Sequence, residues 1–247
     1  MKKSVVLFGL VALSACGGTS TPVTVETPPE AVTPREAYAA AQLSGSEFAS
    51  KVYSFAATSR ADFPTTGSAS FTGSTDIYVS QGGGERSFNL IGDAELEADF
   101  GRGTVTGTLD NFVASERDSG GNLAYYDATG QIDIGGRRSE IGDDGDPRYF
   151  SADYHGTVGV GATNLRFNGD LYGSFRGNRV NQPEGESNVR GFYASSYSDT
   201  VPVGNGERDV YMDVFGIAGL QLRFDVARWP TPRELTRPAK GVGSRQF

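Results

Sequence analysis

From Thr65 onward the chain alternates between apolar or small residues and polar ones with a period of two. Gly67, Ala69, Phe71 and Gly73 interleave with Ser68, Ser70, Thr72 and Ser74. Ala94, Leu96, Ala98 and Phe100 interleave with Asp93, Glu95, Glu97 and Asp99. After Gly101-Arg102-Gly103, Val105, Gly107 and Leu109 alternate with threonines. The runs from Phe150 to Val160 and from Leu165 to Phe175 repeat the pattern. Successive side chains of a strand point to opposite faces, so each run predicts a half-buried strand. Weaker strands are expected near 128–135, 188–195 and 209–217. The period differs upstream. Thr33-Pro34-Arg35-Glu36 is a capping box with Pro at the first helical position, and AYAAAQL and SEFASKVYSF follow on either side of Gly45. One or two short helices to about Phe55 are expected.

About eight antiparallel strands joined by turn-rich loops close into a small barrel whose side chains fill its interior. The expected fold is all-β: an eight-stranded antiparallel up-and-down β-barrel with a short N-terminal helical segment and an irregular C-terminal tail. Alternation alone leaves the inward parity open, because outer-membrane barrels turn the apolar set to lipid. Here the apolar set mixes glycine with large residues, as in Gly169-Asp170-Leu171-Tyr172-Gly173, which suits a cramped, filled interior. Pro230, Pro232 and Pro238 exclude a spanning strand before the terminal Phe247. The barrel reads as a soluble one.

The N-terminus joins Lys2 and Lys3 to an apolar run ending at Leu13 and then to Ser14-Ala15-Cys16. The apolar stretch is short for a membrane span, and the layout is that of a secretory signal. Cys16 is the chain's only cysteine. An unpaired thiol is a liability in an oxidising compartment, so it is expected to serve as an attachment point. Leu13-Ser14-Ala15-Cys16 resembles a bacterial lipobox, which implies cleavage before Cys16 and lipidation there. The expected layout is a lipoprotein signal peptide over 1–15, a flexible tether over 16–33, a helical segment over 34–62, the barrel over 63–222 and a basic, proline-containing tail over 223–247. The formal net charge is −8, and loss of residues 1–15, which hold two lysines and no acid, takes it to −10. Such a surface is a poor partner for nucleic acid.

The segments FPTTGSASFTGSTDIYV (63–79), ADFGRGTVTGTLDNF (98–112), LRFNGDLYGSFRG (165–177) and NVRGFY (188–193) resemble the C-terminal barrel of transferrin-binding protein B, found in bacterial surface lipoproteins. In that family the first segment opens the barrel, the second is a hairpin, and the last two close it. The resemblance covers roughly residues 63–195. It implies a lipid-anchored outer-membrane protein, exposed at the cell surface with help from a lipoprotein translocator, that binds a protein or small-molecule ligand and is not an enzyme. The named receptors of that family are bilobed and much longer, so a surface ligand-binding role carries over rather than transferrin itself. A structural or assembly component of the envelope, or a lipocalin-like carrier, are the alternatives.

No cofactor or metal is expected. His155, the only histidine, shares the outward parity with Asp153 and Thr157, and no nucleophile-elbow sequence accompanies it. Asp143, Asp144 and Asp146 around Gly145 read as a solvated loop without EF-hand spacing. Tyr125-Tyr126 is expected in a connection between strands, either as a recognition surface for the ligand or as a lid packed on a barrel end. Asp93, Glu95, Glu97 and Asp99 form an acidic stripe, to which the tail's Arg228, Arg233, Arg237, Lys240 and Arg245 offer opposite charge.

Overall fold

The computed structural model describes residues 31–61, 63–81, 86–142, 145–178, 189–198 and 208–218. The expected signal segment and Cys16, Asp143, Asp144 and the basic tail lie outside these residues. Among them no helix is long and apolar enough to cross a membrane.

One helix, α1 (Pro34–Ser54), precedes a two-residue strand, β1 (Ala56–Ala57). Eight long strands follow: β2 (Ser68–Gln81), β3 (Ser87–Asp99), β4 (Thr104–Arg117), β5 (Leu123–Ile141), β6 (Tyr149–Val160), β7 (Thr163–Asn178), β8 (Gly191–Ser198) and β9 (Arg208–Ala218). Each pairs antiparallel with its neighbour in sequence, and β9 returns to pair with β2. The result is a closed eight-stranded up-and-down antiparallel barrel, which leaves no long open sheet edge. The closing strand is β9. The end at which β2, β4, β6 and β8 finish is called upper here, and the opposite end lower.

The apolar parity faces inward. Phe71, Leu96, Leu109, Tyr154, Leu165 and Leu171 are fully or almost fully buried, whereas Glu95 and Glu97 on the alternate parity are exposed. The lower half of the interior is aromatic: Phe71 meets Phe192 edge-on at 5.3 Å, and Phe150 lies 5.0 Å from Phe175. Phe63, just before β2, closes the lower end against Phe100 and Phe175 at 5.4 and 5.5 Å. Higher up, Ile77, Leu90, Val158 and Met212 are buried together with Phe88, Phe112 and Phe167.

Eight strands leave little room for large rings, and the register supplies it by facing rings with glycines. Tyr154 pairs with Gly169, Phe150 with Gly173 and Phe192 with Gly216. A Cβ at these glycines would lie 2.6 Å from the Tyr154 hydroxyl, 2.2 Å from the Phe150 ring and 2.2 Å from the Phe192 ring. Glycine weakens a strand taken alone. Here each one opens the space that its neighbour's ring occupies. The Tyr154 hydroxyl in turn accepts a hydrogen bond from Ser196 Oγ at 3.2 Å, so the one phenol in the middle of the barrel is not left unpaired.

Helix α1 straps the outer wall. Thr33 Oγ1 accepts the Glu36 N–H at 3.3 Å while the Thr33 N–H donates to Glu36 Oε2 at 2.9 Å, so the capping box forms as expected. The helix runs through Gly45 as a single piece. Glycine disfavours a helix interior by about 1 kcal/mol, and packing on the barrel offsets that. Ala37 sits with Ile91 and Val113, and Phe48, Val52 and Phe55 sit with Phe215 and Ile217. These four barrel residues lie on the outward parity of β3, β4 and β9, and they are apolar because the helix covers them.

Gly173→Ala tests the pairing of rings with glycines. Overpacking a filled core typically costs about 1–3 kcal/mol, and the new methyl would also stand 2.8 Å from the Ala194 Cβ. We expect a lowered melting temperature, partly restored when Phe150→Leu is added. Additive losses in the double variant would mean that the two positions are not coupled.

Candidate functional site

The barrel's interior is occupied by its own side chains, so functional residues must be sought on the walls and ends. The two tyrosines singled out in the sequence do not form one surface. Both lie within β5 rather than in a connection, because the turn before it is confined to Asp118–Asn122. There the Asp118 carboxylate accepts the N–H groups of Gly120 and Asn122 at 2.9 and 2.8 Å, and β5 starts at Leu123. Neighbours in a strand face opposite ways. Tyr125 points outward beneath α1, with its ring 5.4 Å from Tyr38 and the Arg35 guanidinium 6.0 Å from it. Tyr126, opposite Ala114, packs against the core; burial and the Glu116 carboxylate beside it push its phenol up.

His155 faces outward on β6, as its parity predicts. Its Nε2 lies 3.8 Å from Asp133 Oδ2. Asp146 is taken by an arginine: Arg148 reaches both of its oxygens, at 2.6–3.1 Å, and holds its carboxyl down to about 2. Among the described residues no cluster of three or more His, Cys, Asp or Glu has metal-binding geometry.

The outer wall of β8, β9 and β2 is built differently. The lower half of this region is roofed by α1, where Tyr193 packs against Phe215 at 5.3 Å and Tyr53 of the helix lies 5.6 Å from Tyr193. The upper half carries three more tyrosines in direct register. Tyr78 on β2 faces Tyr211 on β9, which faces Tyr197 on β8. Their ring centroids are 6.4 and 4.7 Å apart, the planes tilted by 40° and 43°. They are 42%, 48% and 59% exposed. Rows of acceptors flank this line on both sides. Asp76, Asp213 and Ser195 are in register below it, and Ser80 and Asp209 are in register above it.

The lower acceptor row is electrostatically tuned. Burial raises the Asp76 carboxyl, with Asp213 adding to the rise, while a hydrogen bond from Asn89 opposes it. Asp213 Oδ1 accepts the Tyr193 hydroxyl at 2.9 Å, and burial together with that carboxylate pushes the Tyr193 phenol up to about 12. The Oδ1 of Asn89, the residue opposite Tyr78, is buried with no hydrogen-bond partner. Sequence reading passed over Tyr78, Tyr197 and Tyr211. The available signal was a large aromatic on the polar parity, as in Asp209-Val210-Tyr211-Met212-Asp213.

The acidic stripe is an outward ridge along β3. Its upper member, Asp93, is pushed up to about 6, chiefly by burial and further by Asp110 and Glu95, against a hydrogen bond from Asn111 Nδ2 at 3.0 Å. A carboxyl whose folded value lies above its unfolded one contributes stability that is fully present below the unfolded value and is lost as pH rises through about 6. Asp93→Asn should therefore melt higher than the parent at pH 7.5, and the gap should close by pH 4. A gap independent of pH would show that Asp93 is not under this strain.

Comparison of the chain with protein-family models, with curated proteins and with solved structures finds no match.

Proposed function

We propose that this chain is a lipid-anchored protein of the Gram-negative outer membrane, displayed at the cell surface, that binds a protein or small-molecule ligand without catalysing a reaction. The observation that carries this reading is Leu13-Ser14-Ala15-Cys16, which follows two lysines and an apolar run and holds the only cysteine. A short signal of this kind is removed, and acyl chains on Cys16 would then supply the attachment, since more than one chain is needed for stable anchoring. The barrel segments that resemble transferrin-binding protein B lend support from a separate part of the chain. The filled barrel interior favours binding on an outer wall or end over carriage inside it. A dedicated translocator would bring the protein to the outer leaflet.

Cys16→Ala should leave an uncleaved precursor and abolish incorporation of a palmitate analogue in cells. Labelling that persists in this variant overturns the anchor. Protease added to intact cells should digest the parent protein; full protection would favour an inward-facing component of envelope structure or assembly.

A further inference from the structure

We propose that the tyrosine row Tyr78–Tyr211–Tyr197 is a binding platform for a neutral glycan chain, an inference that rests on the surface-lipoprotein reading by naming the ligand class for it. Three observations converge on that chemistry. The first is shape. A pyranose ring presents a flat face of C–H groups and a rim of hydroxyls, and an exposed aromatic ring matches the face. Three such rings stand side by side on adjacent strands with centroids 6.4 and 4.7 Å apart. Their planes are tilted by 40° and 43° to one another. A chain of linked sugars, each rotated against the last, can meet rings inclined to one another. A rigid flat ligand would meet one ring only.

The second observation is the polar frame. The hydroxyl rim of a sugar needs acceptors at the edge of the stacking surface. Asp76, Asp213 and Ser195 lie along one side of the row and Ser80 and Asp209 along the other, each one strand pleat from a ring. Tyrosine with a framing carboxylate is amphipathic in the way such a ligand requires.

The third is charge, which decides between ligands. An aromatic row on an anchored protein would also suit a lipid headgroup region, where tyrosines collect. Here, however, the row is framed by Asp76, Asp209 and Asp213, on a chain whose formal charge is −8. Anionic lipid is repelled by that frame, whereas uncharged hydroxyls donate to it. The row also differs from the tyrosines below it. Tyr193 lies under α1 beside Tyr53, whereas no helix of the described residues covers Tyr78, Tyr211 and Tyr197.

The test uses the full chain in detergent micelles. Native gels are cast with a soluble β-glucan or a mannan, the hexamer of N-acetylglucosamine is titrated in solution, and vesicles of phosphatidylethanolamine and phosphatidylglycerol serve as the competing surface. We expect binding to at least one of the three glycans, at least tenfold weaker for Tyr211→Ala and for Tyr78→Ala and retained by Tyr211→Trp, with circular dichroism melts confirming that the variants fold. Absence of binding to all three glycans, or binding that both alanine variants leave unchanged, would overturn the proposal. So would vesicle binding that depends on Tyr211, which would assign the row to a membrane surface. Acyl labelling of Cys16 does not involve these tyrosines, so failure of the anchor and failure of the platform are separately visible.

Discussion

The narrow bore of an eight-stranded barrel is the constraint on which the rest of this structure depends. Side chains from opposite walls meet at the axis, and the interior must be filled without collision. This chain meets that limit with large rings as well as aliphatics, and three of those rings are accommodated by a glycine on the neighbouring strand. Tyr154 with Gly169, Phe150 with Gly173 and Phe192 with Gly216 are the same solution used three times. With the interior committed in this way, the proposed binding surface lies on the outside. The outer wall divides into a part roofed by α1 and a part bearing polar residues and the half-exposed tyrosine row.

The helix explains why the wall is not uniformly polar. Ile91, Val113, Phe215 and Ile217 break the outward polar pattern, and all four lie beneath α1. A single amphipathic barrel rule would count them as errors. They belong to a second, smaller core whose other half comes from Phe48, Val52 and Phe55. The contacts of α1 therefore run along the wall from Tyr125 at the upper end of β5 to Ile217 near the lower end of β9.

Strict alternation made β3, β6 and β7 legible in the sequence, the mixture of glycine with large residues on the apolar set pointed to their inward parity, and the capping box made the start of α1 legible. Three features were not. Tyr125 and Tyr126 looked like loop residues because Gly120, Gly121 and Asn122 precede them, yet an Asp118-centred turn absorbs all the loop character within five residues. The continuity of α1 through Gly45 depends on the barrel beneath it, and local propensity does not contain that information. The tyrosine row is a matter of register between strands distant in sequence: Tyr78 and Tyr211 become neighbours only when β9 closes onto β2. Lipidation and the tail concern residues 1–30 and 219–247, which the structure does not describe.

Asn111, at φ 51°, is the left-handed residue that lets β4 carry one residue more than β3 between two matched pairs, Ile91 with Val113 and Asp93 with Asp110. Asp110 stays outside, and Phe112 and Ala114 return to the inside, although the count from Leu109 would place them outside. Measured against β3, a chain lacking Asn111 would keep every other side chain of β4 on its present side of the wall. Length can thus be edited here by one residue without exchanging inside for outside, whereas the same deletion in the uninterrupted run of β3 from Asp93 to Asp99 would turn its acids into the core.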